Sequence, residues 1–234
     1  MVVLSRVWHA ALALVIAASL VVQIGLLLVH GTDVTTGAEN ELVSIGTRLV
    51  RLFSYFTIQS NLFVLYTALT LLVNPNRDGP AWRVLRLDAL LSITITGIVF
   101  ITVLSDLVAH HSTASVWTNA GFHYVSPVAA VLGWILFGPR PRITWSVVAW
   151  AFVWPVLWTG YTLAHGAFSG WYPYPFLDVA KLGYALALRN VGVVLLIAVV
   201  AAISFKLFDP LILKAGRSAL SARSGASGRD TASR

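Results

Sequence analysis

Six apolar segments, each long enough to cross a bilayer as a helix, constrain this chain more than any other feature. The first, from Val7 to Val29, follows Arg6 and contains no charged residue. At ~1.5 Å per residue, a helix of that length spans the hydrocarbon core of a membrane. The other five lie at about residues 52–73, 87–108, 121–137, 143–165 and 182–205. The sequence therefore predicts an all-α integral membrane protein with six transmembrane helices.

The composition excludes a soluble domain. Of the 234 residues 58% are hydrophobic and only 11% are charged, and the mean hydropathy is +0.81. The chain has no cysteine, so disulfides and thiolate metal sites are excluded. Its net charge of +7 would suit nucleic acid, but the basic residues are sorted by membrane side, and topology explains them without a nucleic-acid partner.

The distribution of Lys and Arg predicts the orientation. One side receives Arg6, the arginines of 77–86, Arg140, Arg142 and every basic residue from Lys206 onward, and the other receives Arg48, Arg51, Lys181 and Arg189. By the positive-inside rule both termini are cytoplasmic, which suggests a multi-pass protein of a bacterial plasma membrane. The domain ends at residue 213, because residues 214–234 are too poor in apolar side chains to fold and predict a disordered, basic cytoplasmic tail near anionic lipid.

Polar side chains concentrate near the end of the bundle that this topology places outside. They come from five helices and their loops: Thr57, Asn61, Asp106, His110, His111, Asn119, His123, His165, Trp171, Asp178, Arg189 and Asn190. An intramembrane charge suggests a functional site, and Asp106 is the expected partner of Arg189. Thr102, Asp106 and His110 follow one another at intervals of four and are expected to share one face of the third span.

Two further spans carry polar or aromatic side chains at helical spacing. Ser54, Thr57 and Asn61 are expected to share a face of the second span, with Thr57 at the centre of the site. Trp154, Trp158, Tyr161 and His165 form a stripe on the fifth span, either as packing or as the wall of an acyl pocket. Pro155 is expected to kink that span.

The loop after the fifth span is rich in aromatic residues. Trp171, Tyr172 and Tyr174 are expected to form an aromatic belt at the membrane interface. A lid over the mouth of a pocket is the alternative, and Pro173 and Pro175 would make such a lid stiff.

Three sequence blocks together resemble a known family. They are FTIQSN at 56–61, then Asn119, Gly121 and His123 with Pro127 following, and then Trp158 through GWYPYPFLD to Asp178. In this order and spacing they resemble the androgen-induced membrane protein family, whose animal members are intramembrane threonine hydrolases of fatty acid esters of hydroxy fatty acids. The resemblance covers most of the six-span region.

The resemblance implies a site and a substrate class. Thr57 would be the nucleophile and His123 the base that takes its proton, with an acyl-threonine intermediate released by water and no cofactor. The substrate would be a lipid ester drawn from the membrane. Ser60 stands where family members carry an acidic residue, three positions after the threonine.

Supporting roles follow for other polar residues. Asn61 and Asn119 would donate hydrogen bonds to a developing oxyanion, or form ordinary interhelical hydrogen bonds. Arg189 and His165 are candidates for holding a fatty acid carboxylate, and Arg189 alternatively stabilises Asp106.

Other interpretations remain open from the sequence. Thr57 can bond back to the carbonyl one turn earlier, and His123 can be an interfacial side chain. Asp106, His110, His123 and His165 offer ligands for a metal-dependent lipid hydrolase. A transporter or lipid-binding protein without enzymatic activity is a further possibility, although no internal repeat is visible. A haem site would require a pair such as His110 or His111 with His165.

Overall fold

The computed structural model describes residues 1–31, 43–108 and 112–230, with side chains as far as residue 212. Within these ranges the chain is helical and has no β-strand. Its α-helices are α1 (Val2–His30), α2 (Ile45–Ser54), α3 (Phe56–Val73), α4 (Pro80–Val99), α5 (Thr113–Ala120), α6 (Ser126–Phe137), α7 (Trp145–Ala151), α8 (Val153–Ser169) and α9 (Val179–Asp230). Two π-helical turns, Phe100–Leu104 and Gly121–Val125, and two 3-10 turns, Ser105–Leu107 and Pro175–Leu177, lie between them.

Six helical segments in the described part are long and apolar enough to cross a membrane. They are Val2–His30, Phe56–Val73, Pro80–Leu107, Thr113–Phe137, Trp145–Ser169 and Val179–Ile212. The predicted fold class and number of spans are confirmed. The orientation of the termini and the disorder of residues 214–234 stay predictions. The backbone of α9 is kinked at Gly183, where φ is 74° and ψ is 161°, and is helical from there as far as Asp230; the side chains beyond residue 212 lie outside the described part.

The spans begin and end at different residues from those predicted, because apolar content does not mark helix caps. The first two predicted spans leave residues 30–51 between them as a polar loop, yet residues 45–54 form α2, whose first turn is capped by Ser44 Oγ accepting the Thr47 N–H at 3.3 Å. Arg86, which belongs to the group of arginines at 77–86 that marks the cytoplasmic side, lies inside α4 and is buried, donating to Thr67 Oγ1 at 3.2 Å.

The fifth span is interrupted near its proline, as predicted. Pro155 has no N–H for the carbonyl one turn earlier, and its ring clashes with that carbonyl in a regular helix. The backbone turns at Phe152, which separates α7 from α8. Beyond the break, α8 runs to the end of the bundle that holds Thr57, called the site end below.

The third span runs through the centre of the bundle, and the sixth lies at its edge. In their most apolar stretches, 72% of the residues of the third span are buried but only 17% of those of the sixth. Small buried side chains, among them Ala68, Ala89 and Ala130, let α3, α4 and α6 approach closely at mid-depth. The loose contact of α9 leaves room for a cavity beside it.

An ionic cluster closes the end of the bundle opposite the site. Asp209, only 1% exposed, accepts the backbone N–H groups of Arg142 at 2.6 Å and Ile143 at 3.0 Å, and the Arg140 guanidinium lies 3.8 Å from its carboxylate. These contacts tie the last span to the turn before α7. In the loop before α4, a hydrogen bond from Arg83 holds the pKa of the Asp78 carboxyl well below its usual range.

Candidate active site

A break in the backbone at Tyr55 places Thr57 at the start of a helix. Tyr55 is extended, with φ −67° and ψ 129°, so α2 ends at Ser54 and α3 begins at Phe56. The Thr57 N–H therefore has no partner within the helix, and its hydroxyl lies at the positive end of the α3 dipole. Ser54 belongs to the preceding helix, so the single polar face predicted for Ser54, Thr57 and Asn61 is broken.

Two aromatic side chains from distant parts of the chain satisfy the broken backbone. Trp158 Nε1 donates to the carbonyl of Ser54 at 2.9 Å, and the Thr57 N–H donates to the hydroxyl oxygen of Tyr174 at 3.1 Å. Trp158 also packs edge-on against Phe56, with ring centroids 5.0 Å apart. These contacts fix the position of Thr57 from α8 and from the loop 170–178.

His123 reaches Thr57 from a π-helical turn in the fourth span. Its Nε2 lies 3.3 Å from Thr57 Oγ1, and its ring stacks on Phe100 with centroids 3.9 Å apart and planes 18° apart. Phe100 begins the other π-helical turn. Such turns change the direction of side chains within a helix and often occur at functional sites. Thr57 is 3% exposed and His123 1%, so neither faces lipid.

The hydrogen atoms in this cluster have one consistent arrangement for a neutral imidazole. His123 Nδ1 lies 3.2 Å from the carbonyl oxygen of Asn119, which can only accept, so Nδ1 carries the proton. Nε2 then carries a lone pair and accepts from the Thr57 hydroxyl. Because Thr57 gives its single hydroxyl proton to Nε2, the Tyr174 O–H must donate to Thr57 Oγ1 at 3.1 Å, while the Tyr174 oxygen accepts the Thr57 N–H. The threonine proton thus faces an available base.

The surroundings of the imidazole favour its neutral form. Its contacts in the described structure are the Thr57 hydroxyl, the Asn119 carbonyl and the ring of Phe100, and none carries a negative charge. A buried imidazolium there would have no counter-ion, and burying an unpaired charge is costly. The neutral ring is the form that acts as a general base.

An open cleft lies beside Thr57, and its empty volume of about 650 Å³ includes the solvent space at its mouth. The polar groups on its wall are the side chains of Thr57, Thr96, Thr159, Trp158 and Tyr174. Its remaining lining is apolar and includes Ile95, Val99, Leu104, Val191, Val194, Leu195 and Ala198 from the third and sixth spans. Such a cavity suits a hydrocarbon chain with one polar group presented to the threonine.

A second layer of polar side chains holds the first turn of α3. Ser60 Oγ donates to the carbonyl of Thr57 at 3.0 Å and lies 2.9 Å from Thr96 Oγ1. Asn61 Nδ2 donates to the same Thr57 carbonyl at 2.8 Å and to the carbonyl of Phe122 at 3.3 Å. Asn61 therefore forms an interhelical hydrogen bond, which is one of the two roles left open by the sequence. Its amide hydrogens are directed to backbone carbonyls and not to Thr57 Oγ1.

Asp106 and Arg189 do not form the predicted intramembrane ion pair. Both are exposed, and the ion pairs found among the described residues do not join them. The third span changes from α to π and 3-10 geometry over 100–107, so Asp106 lies in an irregular, exposed turn at the end of that span. His110 and His111 lie outside the described residues.

Three other predicted site residues have structural contacts away from Thr57. His165 meets Ser169 Oγ at 3.3 Å, and its ring lies between those of Tyr161 and Trp171. Asp178 Oδ1 accepts the Lys181 N–H at 3.3 Å, which caps the start of α9. Asn190 Nδ2 donates to the carbonyl of Phe176 at 2.9 Å and anchors the loop after Tyr174.

The loop 170–178 packs into the bundle, and the expected interfacial belt is wrong for Tyr174. Tyr174 is only 5% exposed, since its hydroxyl reaches Thr57. Trp171 is partly buried edge-on against Tyr55, at 5.6 Å. Tyr172 fits over Gly166 so closely that a Cβ on that glycine would lie 2.1 Å from the tyrosine ring. The alternative of a stiff lid agrees better with these contacts.

The described residues contain no cluster of side chains that could bind the metal ion of a metal-dependent hydrolase. Among the described side chains of residues 1–31, 43–108 and 112–212, no three from His, Asp or Glu approach one another as ligands of one ion. Asp106 is exposed, His123 contacts Thr57 and Asn119, and His165 contacts Ser169, so these three candidate ligands lie in separate surroundings.

Sequence reasoning missed the roles of Tyr174, Phe100 and Thr96. The position of Tyr174 between two prolines was the available signal, because a rigid segment can hold a side chain in place. Phe100 and Thr96 look like ordinary residues of an apolar span, and the π-helical turn that directs Phe100 onto His123 leaves no recognisable pattern in the sequence.

Comparison with known proteins gives no match for this chain, whether with protein-family models, with curated proteins or with solved structures. The resemblance to the androgen-induced membrane protein family therefore stays a prediction based on the three sequence blocks.

Proposed function

We propose that this protein is an intramembrane hydrolase of lipid esters, with Thr57 as the nucleophile and His123 as the general base. The observation that carries the proposal is the 3.3 Å contact between Thr57 Oγ1 and His123 Nε2, in which the Asn119 carbonyl holds the ring in the accepting tautomer. A nucleophile, its base and a group orienting the base are the three parts that activate a hydroxyl. The resemblance to a family of threonine hydrolases supports the same pair.

The reaction follows from the positions of the protons. As Thr57 Oγ1 bonds to the ester carbon, its proton moves to His123 Nε2 and the carbonyl electrons move to the carbonyl oxygen. The tetrahedral species collapses, its bond to the alcohol oxygen breaks, and that oxygen takes the proton from His123. Water then attacks the acyl-threonine with His123 again as base. Thr57 recovers its proton, and the products are one carboxylic acid and one alcohol.

The cavity supports a substrate with a long hydrocarbon chain. Apart from the few polar side chains near Thr57, its wall is aliphatic or aromatic. Each methylene moved from water into such a site contributes ~0.8 kcal/mol, so binding grows with chain length. Fatty acid esters of hydroxy fatty acids, the substrates of the family it resembles, meet this requirement.

The charge pattern supports a site on the extracytoplasmic side of a bacterial plasma membrane. The turns at the end opposite the site contain Asp78, Arg83, Arg140 and Arg142, and the loop 170–178 at the site end contains no Lys or Arg. Positive residues concentrate in cytoplasmic loops.

Turnover of purified protein tests the proposal. Wild-type protein in lipid nanodiscs is incubated with a panel of fatty acid esters, including esters of hydroxy fatty acids, beside Thr57→Ala and His123→Ala. Each variant is expected to lose about 10³-fold or more in kcat, because nucleophile and base act together. A fluorophosphonate probe is expected to label the wild type and not Thr57→Ala.

Two variants serve as matched controls. Thr159→Ala removes another threonine hydroxyl from the cavity wall, one that bonds back to the Pro155 carbonyl at 2.8 Å, and His165→Ala removes a histidine away from Thr57. Both should retain turnover within a few-fold of the wild type. If Thr57→Ala and His123→Ala also hydrolyse at the wild-type rate, the mechanism is wrong. Retained binding of a fatty acid by all variants, without hydrolysis by the wild type, would favour a non-enzymatic lipid-binding protein.

A further inference from the structure

We propose that Tyr174 is a catalytic residue that donates its phenolic hydrogen to the oxyanion of the tetrahedral intermediate, together with the backbone N–H of Thr57. This inference rests on the proposed ester hydrolysis and assigns the group that holds the developing charge. From the sequence, Asn61 and Asn119 are the candidates for that group; the Asn61 amide donates to two backbone carbonyls instead, and Asn119 does not line the cavity.

The position of the Tyr174 oxygen is the first observation. It lies 3.1 Å from the Thr57 backbone nitrogen and 3.1 Å from Thr57 Oγ1. In the resting protein, the Tyr174 oxygen accepts the Thr57 N–H, which has no partner within α3. This is the position that the carbonyl oxygen of a substrate attacked by Thr57 would take. A substrate carbonyl oxygen that takes over this N–H lies next to the phenol, which then turns its own proton from Thr57 Oγ1 to that oxygen.

The other polar groups on the cavity wall have already committed their protons. Thr159 Oγ1 donates to the Pro155 carbonyl at 2.8 Å, and Trp158 Nε1 donates to the Ser54 carbonyl at 2.9 Å. Each of these acceptors is a backbone carbonyl with no proton to return, so the donor is held in place.

The proton of Thr96 is committed through Ser60. Because Ser60 Oγ gives its single proton to the Thr57 carbonyl, the 2.9 Å contact between Ser60 and Thr96 requires the Thr96 hydroxyl to donate. Asn61 likewise directs its amide protons to the carbonyls of Thr57 and Phe122. Among the side chains lining the cavity, the Tyr174 phenol is therefore the donor beside Thr57 that can be redirected.

The surroundings of Tyr174 suit this role. The side chain is 5% exposed, and its ring stacks on Phe176 with centroids 5.4 Å apart and meets Tyr55 edge-on at 5.5 Å. A donor held in a dry site gains more from a developing negative charge than one in water. No proton leaves the phenol: the hydrogen bond passes from Thr57 Oγ1 to the oxyanion and returns when the carbonyl reforms.

The test uses Tyr174→Phe, which keeps the ring and removes the hydroxyl. Removing one oxyanion donor is expected to lower kcat by about 10²–10³-fold and to change KM by less than about threefold. Tyr161→Phe is the matched control, since its hydroxyl bonds to Ser54 Oγ at 2.6 Å and not to Thr57. It should retain kcat within about threefold.

A spectroscopic measurement separates charge stabilisation from the positioning of Thr57. A long-chain trifluoromethyl ketone, labelled with carbon-13 at its carbonyl, forms a hemiketal with the threonine, and the carbon shift reports whether the adduct oxygen is ionised. The oxygen should ionise about two pH units higher in Tyr174→Phe than in the wild type, since a 10²-fold loss corresponds to that shift. If Tyr174 only positions Thr57, Tyr174→Phe would change the amount of adduct but not the pH at which its oxygen ionises.

The outcomes of these measurements decide the proposal. An unchanged ionisation of the adduct in Tyr174→Phe, or an unchanged kcat, overturns it. If Tyr174→Phe does not fold, Tyr174→difluorotyrosine keeps the hydroxyl and makes it a stronger donor; ionisation at lower pH supports the role, and no change overturns it. Full turnover by Thr57→Ala would instead sink the proposed function, so the two failures are distinguishable.

Discussion

If the cavity holds the acyl chain of the proposed hydrolase, Ala198→Leu is expected to shift its preference from long to short acyl chains. Ala198 is 2% exposed and lines the cavity on α9, as does Val191, seven positions nearer the site end. At 1.5 Å per residue, Ala198 therefore lies ~10 Å further along the helix from the site end than Val191 does. A larger side chain there occupies the far part of the cavity and leaves the space beside Thr57 unchanged.

The magnitude follows from the atoms added. Leucine has three more carbon atoms than alanine, and each displaces roughly one methylene of a bound chain. At ~0.8 kcal/mol per methylene, the loss is ~2.4 kcal/mol, or about 50-fold in kcat/KM for a chain that reaches Ala198. An ester too short to reach it should change by less than about threefold.

The assay measures kcat/KM over a homologous series of esters from short to long acyl chains. Ala202→Leu is the control, because Ala202 lies one helical turn further on and is buried in a core cluster with Leu90 and Phe205 away from the cavity. Overpacking by Ala202→Leu should lower the free energy of unfolding by ~1–3 kcal/mol, which a lower thermal midpoint would show. Its effect on kcat/KM should not depend on the length of the acyl chain. An equal loss for all chains in Ala198→Leu, or none, would refute the assignment of the cavity as the acyl site.

Two further predictions concern the lid and the orientation of the bundle. Gly166→Ala places a Cβ 2.1 Å from the Tyr172 ring and should displace the loop 170–178, lowering turnover at least tenfold. Gly160→Ala is the control, because its Cβ would meet no atom within 4 Å, and it should keep the wild-type turnover. Equal turnover by the two variants would argue against the lid. Because the chain has no cysteine, Ser169→Cys should react with a membrane-impermeant maleimide on intact cells and Asn76→Cys should not; the reverse pattern would invert the topology.

The spans were predictable because hydrocarbon selects strongly for apolar side chains over a fixed length. The third span shows where this signal stops. It begins at Pro80 instead of Leu87 and buries Arg86 against Thr67, since a long side chain can reach a partner within the bundle. The intramembrane pair expected for Asp106 and Arg189 does not form, because both side chains are exposed and Asp106 lies in a 3-10 turn at the end of its span.

The pair of Thr57 and His123 was proposed from a resemblance, and the structure brings the two side chains within 3.3 Å. Neither the break at Tyr55 nor the π-helical turns could be read from the sequence, because each is stabilised by partners more than 100 residues away or on another span. Trp158 and Tyr174 satisfy the backbone groups that the break exposes.

The amino-acid sequence by itself determined that the protein is an all-helical membrane protein with six spans, because the cost of exposing polar groups to lipid is imposed residue by residue. It also supplied the candidate threonine and histidine. Only the tertiary structure decided that Tyr174 is buried beside Thr57, that Asp106 and Arg189 lie apart, and that a cavity runs along α9. Those features depend on how the helices turn and pack against one another. They could not be predicted from the sequence because the packing contacts join side chains that are distant in the chain.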